Sequence, residues 1–331
     1  MQKNKVAVIG AGSWATAIVK ILLNNLDQVE WWIREPEILT HLKKYNHNPH
    51  YLSSVQFDTK HLELSDDINY TIGRAQIIVL CIPAVFLDET VKMIDPRLLK
   101  EKAIVSAIKG IVPFYNMTVG DYLKNRYDVD FDRMAVVTGP SHAEEVALEK
   151  LTYLTVASCN QDLAKEVSNI FNCRYIKTSL SDDIVGTSYA PVLKNIIAIA
   201  SGISNGLGYG DNFQAVLISN AIKEINNFID TVSPVKRNVN DSVYLGDLLV
   251  TCYSQHSRNR MFGNMIGKGY SIKFVQYEMK MIAEGYYAVK GVHKINLEQS
   301  LNMFITEAVY NILYNENSPS EEIEKLAEKL R

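Results

Sequence analysis

The chain has 331 residues, 47% of them hydrophobic, which is enough to bury a large core in two domains or one large one. A net charge of −3 gives no support to binding nucleic acid or a membrane surface. The four cysteines, at 81, 159, 173 and 252, form no Cys-x-x-Cys pair, and no secretory signal precedes the first apolar run, so a reduced, cytoplasmic setting is expected.

Residues 6–17 read Val-Ala-Val-Ile-Gly-Ala-Gly-Ser-Trp-Ala-Thr-Ala. Four apolar β-formers run into a glycine turn and then a helix-forming stretch, the setting of a dinucleotide-binding fingerprint. Gly10 permits the tight turn. Gly12 keeps no side chain between backbone and pyrophosphate, and Ala15 replaces the third glycine where helix packs on strand. Free N–H groups at the helix start then face the phosphates.

Short apolar runs follow at Val29–Ile33, Ile77–Ile82, Ala103–Ala107, Met134–Thr138 and Tyr153–Ala157. Helical patterns such as Met117–Lys124 and Gln161–Phe171 separate several of them. This alternation predicts an α/β fold, a Rossmann-like doubly wound parallel sheet. The stretch Asn46–Thr59 reads as a loop. Arg34 follows the second run, where a cation accommodates the extra phosphate of NADP and an acid would favour NAD. Glu35 beside it leaves the choice open, with NADP favoured. Lys109 follows the fourth run, where a ligand crevice is expected. It is a candidate for an anionic or carbonyl substrate, or else a surface lysine. The fifth run ends in Thr138-Gly-Pro-Ser-His-Ala-Glu-Glu145, in which Ser141 and Glu144 have capping-box spacing and predict a helix start.

Beyond about residue 180 helical patterns dominate: Ile184–Ser204, Gln214–Asp230, Leu245–Tyr253, Ile272–Ala288, Leu297–Tyr314 and Ser320–Leu330. A dinucleotide-binding domain over 1–180 and an all-helical domain over 181–331 are expected. The longest apolar run, Ala190–Ile203, is short and carries Lys194 and Asn195, so no membrane span is expected. A lysine in so apolar a helix meets an acid or lines a cavity, and burial lowers its pKa. Tuned toward neutrality, it can protonate an alkoxide formed from a ketone and take the proton back. Asp247, apolar on both sides, needs a cation, and Lys194 is the obvious one. Ser257, Arg258 and Asn259 set three strong donors side by side, with Arg258 suited to a phosphate; read alone, this is a polar turn. His47-Asn-Pro-His50 has a metal-like spacing without a third ligand, and no metal is expected.

In this order the motifs resemble the NAD(P)-dependent sn-glycerol-3-phosphate dehydrogenases, in particular the bacterial biosynthetic type. The matching pieces are Gly-Ala-Gly-Ser-Trp-Ala-Thr-Ala at 10–17, Lys109-Gly110, Gly139-Pro140-Ser141, Leu193-Lys194-Asn195, Leu245-Gly-Asp-Leu248 with Thr251, Ser257-Arg-Asn-Arg260, and Glu284-Gly285-Tyr286. The resemblance implies interconversion of dihydroxyacetone phosphate and sn-glycerol 3-phosphate for phospholipid synthesis. It implies Lys194 as the proton-transfer residue. Lys109, Gly139, Ser141, Asn195, Asp247, Thr251, Ser257, Arg258 and Asn259 would surround the substrate. Gly10, Gly12, Ser13, Trp14 and Arg34 would contact the cofactor, with Lys109, Ala143, Arg258 and Glu284 near it. A homodimer is the expected assembly. The chain departs from the family at Ser219-Asn220-Ala221, where an arginine-glycine pair is usual, and at Tyr244, where a glycine is common. The 3-hydroxyacid dehydrogenases also carry a catalytic lysine on helices, but they place their asparagine a turn beyond it, whereas Asn195 is adjacent. A redox-sensing NADP-binding protein would need neither Lys194 nor the donor triplet.

Overall fold

The computed structural model describes residues 5–279 and 283–331. They form two compact units, one of residues up to Ile108 together with Val119–Ile184, the other of Lys109–Thr118 together with Val185–Arg331. A division at residue 180 does not anticipate that Lys109–Thr118, lying between two strands of the first unit, folds with the second.

The first unit is built on an eight-stranded sheet: β1 (Val6–Ile9), β2 (Val29–Trp32), β3 (Leu62–Ser65), β4 (Ile77–Leu80), β5 (Ala103–Ser106), β6 (Met134–Thr138), β7 (Thr152–Ala157) and β8 (Ile176–Ser181). Their spatial order is β3-β2-β1-β4-β5-β6-β7-β8. All pairs are parallel except β6 with β7. The order reverses between β1 and β4, the switch point where open α/β sheets bind ligands. Along β1, Val6 and Val8 join the core that includes the helices Ser13–Leu22 and Gln161–Phe171, while Ala7 and Ile9 are buried on the opposite face. Strands covered on both faces need apolar residues at every position, so the central strands are the continuous runs seen in the sequence. The outermost strands β3 and β8 are absent from that reading. Their half-exposed faces place Glu63, Lys177 and Ser179 among the apolar residues, as edge strands do. Within β2, Glu30 is buried and accepts a hydrogen bond from Arg74 Nε at 3.0 Å.

The second unit is helical. Its axis is the 23-residue helix Ile184–Gly206. By length and composition this helix could cross a membrane, but 89% of its apolar window is buried, and it is the core of the unit. It matches the helical pattern Ile184–Ser204 within two residues, and polar residues such as Thr187, Ser201 and Ser204 are buried along it with the apolar ones. Arg258–Gly267 crosses it, and the two helices touch through glycine. A Cβ on Gly202 would overlap the Arg260 carbonyl, and one on Gly263 would overlap the Ile199 carbonyl. Around them stand Asp211–Val232, Asp247–Tyr253, Ile272–Glu278, Glu284–Gln299, Phe304–Tyr314 and Pro319–Ala327. The last starts with Ser318 capping and Pro319 at the first helical position, one residue before the pattern Ser320–Leu330.

Some expected elements are divided. Ile272–Ala288 is not one helix: it ends at Glu278 and resumes at Glu284, with 280–282 outside the described residues. Leu297–Tyr314 breaks at Ser300, whose φ of 54° stops the first helix, and restarts at Phe304. Leu245 lies in a π turn, Ser242–Gly246, in which Tyr244 is buried.

Replacing Gly263 by Ala drives a methyl into main chain that cannot yield locally. Denaturant titration of Gly263→Ala is expected to show a loss of about 1–3 kcal/mol.

Candidate active site

In the first unit the chain turns out of β1 at Gly10, whose φ of 120° only glycine adopts easily and where a Cβ would overlap the Cys81 carbonyl. Trp31 Nε1, buried in β2, donates to the Gly10 carbonyl at 2.7 Å and fixes the turn. Gly12 caps the helix Ser13–Leu22, and a Cβ there would meet nothing within 4 Å. The turn is thus braced beneath and open above, over a helix N-terminus, which is the cradle a pyrophosphate fits. Ser13 and Ala15 are buried at its edge, and Trp14 is half-buried. Arg34, beyond β2, is exposed. Its Nε and Nη2 donate to Glu35 Oε1 at 3.1 and 3.0 Å, and its guanidinium lies 5.2 Å from the Phe86 ring centre.

Past β6, Gly139 has φ 132°. Ser141 does not cap the next helix as its spacing predicts. Its hydroxyl donates to the Gly139 carbonyl at 2.9 Å, and Ala143–Ala147 starts after His142 with no side-chain cap. A capping serine must stand immediately before the first helical residue; here His142 holds that place.

In the second unit Lys194 and Asp247 form an ion pair with side chains 6% and 1% exposed. Lys109 Nζ lies 3.9 Å from the other carboxylate oxygen of Asp247. Burial is the main influence on Lys194 and pulls its pKa down to about 8; Asp247 opposes this and Lys109 reinforces it. The lowered value brings the neutral amine within reach near physiological pH, as an ordinary lysine does not. Lys194 is therefore an acid that can also serve as a base near neutrality.

Main-chain contacts hold this cluster. Asn195 Nδ2 donates to the Lys109 carbonyl at 3.0 Å, tying the Lys109–Thr118 segment to the central helix. A Cβ on Gly285 would come within 2.6 Å of the Asn195 carbonyl, and the Gly285 N–H donates to Asn259 Oδ1 at 2.9 Å. Thr251 Oγ1 donates to the Asp247 carbonyl at 2.6 Å. Ser257 caps the helix Arg258–Gly267, accepting from the Arg260 N–H at 3.3 Å, so the apparent polar turn is a helix start. Among the described residues, no carboxylate is in ion-pair range of Arg258. A cation at a helix N-terminus opposes the dipole, and an anion relieves both. Glu284 opens the helix Glu284–Gln299.

Sequence reasoning missed Asn48, which sits in the stretch read as loop. It is fully buried and bonds to Ala11 and Thr16. Its signal was slight, a polar residue between histidines. His47 turns to His41, Nε2 to Nε2 at 3.3 Å, while His50 packs by Tyr51. Among the described residues no three metal-ligating side chains gather.

The sequence profile of the NAD-dependent glycerol-3-phosphate dehydrogenase N-terminus matches residues 5–164, and that of the C-terminus matches 183–324. The chain belongs to this family. It is 37% identical to the glycerol-3-phosphate dehydrogenase [NAD(P)+] of Prosthecochloris aestuarii over 96% of this chain and 95% of that one. It is 34% identical to that of Oceanobacillus iheyensis over 97% and 93%. The crystal structure of glycerol-3-phosphate dehydrogenase from Coxiella burnetii superposes with a TM-score of 0.91, at 28% identity, covering 98% of this chain and 99% of that one.

Asp247→Asn removes the charge that holds the Lys194 pKa up. The Lys194 titration, read by NMR after 13C-methylation of the lysines, is expected to move below about 8, because burial and Lys109 then act unopposed.

Proposed function

We propose that this chain is an NAD(P)-dependent glycerol-3-phosphate dehydrogenase that interconverts dihydroxyacetone phosphate and sn-glycerol 3-phosphate, the latter for glycerophospholipid synthesis. The observation that carries the chemistry is the buried ammonium of Lys194, poised near neutrality between Asp247 and Lys109. When bound, the nicotinamide supplies a hydride to the ketone carbon or takes one from the alcohol.

The chain's residues do the rest. Lys194 gives its proton to the carbonyl oxygen as that oxygen gains charge, and recovers it from the alcohol in the reverse direction. Asp247 keeps enough of Lys194 protonated to act as acid. Lys109 adds positive charge beside the developing alkoxide. Arg258 and the N-terminus of its helix take the phosphate dianion, with Ser257 and Thr251 at the rim. Asn195 and Asn259 set the cluster's geometry through the main chain. The resemblance supports a substrate role for Gly139 and Ser141 as well.

The glycine turn supports dinucleotide binding at Gly10, Gly12, Ser13 and Trp14, and the resemblance adds Ala143 and Glu284. Arg34 favours NADP. Its present partner Glu35 is a half-buried neighbour in a pair that is open to solvent on the Arg34 side, and surface pairs are weak, about 0–1 kcal/mol, so a 2′-phosphate can displace it. The resemblance supports a homodimer as the working form, and the free thiols of all four cysteines support a cytoplasmic setting.

The sign of the pH dependence follows from the lowered Lys194 pKa. Reduction needs the ammonium, so kcat/KM for dihydroxyacetone phosphate is expected to fall as pH rises through about 8. Oxidation needs the neutral amine, so kcat/KM for sn-glycerol 3-phosphate should rise through the same range. Steady-state absorbance assays in both directions check this. Lys194→Ala should lose at least about a hundredfold in kcat and keep dinucleotide binding; full turnover in that variant refutes the assignment.

Arg258→Ala removes the phosphate's main cation. The KM for dihydroxyacetone phosphate is expected to rise at least about tenfold in initial-rate assays, and an unchanged KM would contradict the role.

A further inference from the structure

Asn48 is a buried amide with every hydrogen-bonding position filled. Its Nδ2 donates to the Ala11 carbonyl at 2.9 Å and to Thr16 Oγ1 at 3.1 Å. Its Oδ1 accepts from the N–H groups of His50 and Tyr51 at 3.0 and 3.1 Å. The opposite amide orientation would set oxygen against oxygen and N–H against N–H, so the network admits one orientation. Thr16 passes the connection on, its hydroxyl donating to the Gly12 carbonyl at 3.0 Å. Asn48 thus restrains the Ala11 carbonyl directly, while the Gly12 carbonyl accepts from both the Thr16 N–H at 2.9 Å and the Thr16 hydroxyl that Asn48 orients.

A trans peptide points its C=O and the next N–H in opposite directions. Holding the Ala11 carbonyl toward Asn48 aims the Gly12 N–H away from it. Holding the Gly12 carbonyl toward Thr16 aims the Ser13 N–H outward from the start of the helix. A flip of either peptide would replace a donor with a carbonyl oxygen and repel an anion. Nothing else among the described residues braces the Ala11 carbonyl by a hydrogen bond.

We propose that Asn48 is a positioning residue for the dinucleotide, locking the turn so that its N–H groups face the pyrophosphate before the ligand arrives. The inference rests on reading this turn as the dinucleotide site. Asn48 acts through the backbone and touches neither substrate nor the reacting atoms.

The test compares wild type with Asn48→Asp, Thr16→Val and Thr16→Ser. Dissociation constants for NADPH and NADH are read by calorimetry without substrate, alongside the thermal midpoint without cofactor and the split of kcat from KM. Aspartate keeps the acceptor for His50 and Tyr51 but cannot donate to Ala11. Asn48→Asp is expected to bind both dinucleotides at least about tenfold more weakly, with kcat at saturating cofactor changed less than about threefold. Thr16→Val should weaken binding roughly threefold, and Thr16→Ser, which keeps both bonds, should restore it. Should Asn48→Asp fail to fold, the Thr16→Val and Thr16→Ser pair decides, and equal affinities in that pair overturn the proposal. Affinity within about twofold of wild type in a folded Asn48→Asp also overturns it, even where the thermal midpoint drops. A wild-type chain that binds neither dinucleotide refutes the underlying site reading instead.

Discussion

A charged amine inside an apolar helix sets the terms for the helical unit. Lys194 could not remain an ammonium there alone, because desolvation would neutralise it. Asp247 restores part of the lost preference, and as a carboxylate only 1% exposed it needs cations of its own. Lys109 is the second, and it comes from far away in sequence. The segment Lys109–Thr118 lies between β5 and β6, yet it counts with the helical unit, and Asn195 grips its first carbonyl. The excursion of the chain and the asparagine next to Lys194 together bring two positive charges around one negative one.

That arrangement carries a net positive charge in a low-dielectric place. A structure built for stability alone would do as well with apolar residues of the same volume. The arrangement makes sense for a reaction in which negative charge develops on oxygen next to the amine. The division between cation types is consistent with this. Arginine cannot be deprotonated in a protein, so it suits a phosphate that stays charged throughout. Lysine responds to burial, so it suits a group that must release and regain a proton. Arg258 sits at a half-exposed helix start, while Lys194 sits in the core.

The legible parts of the sequence were those where burial is total. Continuous apolar runs gave the inner strands, and Lys194 and Asp247 stood out as charges within mostly apolar stretches. The glycine turn was legible because a tight turn and a close approach leave few alternatives to glycine. Three kinds of feature were hidden. Edge strands β3 and β8 lack a continuous apolar run because one face meets water. The helix Arg258–Gly267 meets the central helix through Gly263 and Gly267, so that contact adds little to the short period of Phe262 and Ile266. Helix ends at Glu278 and Ser300 fall where the local pattern continues, the second through a left-handed residue that no residue type announced.

Asn48 belongs to a fourth kind, and it bears on how the two readings of a loop differ. Its neighbours are polar and irregular, which is why the stretch reads as surface. A buried loop must satisfy its own backbone, and Asn48 does so for His50 and Tyr51 while also restraining a second loop 37 residues earlier. An asparagine is the smallest side chain that can accept two N–H groups and donate twice at once. Ser141 makes the converse point: its spacing matched a helix cap, but the hydroxyl found a nearer carbonyl at Gly139. In both cases the deciding partner is a main-chain group whose position depends on tertiary structure. Side-chain type in sequence says which bonds are possible, and only the fold says which carbonyl is in reach.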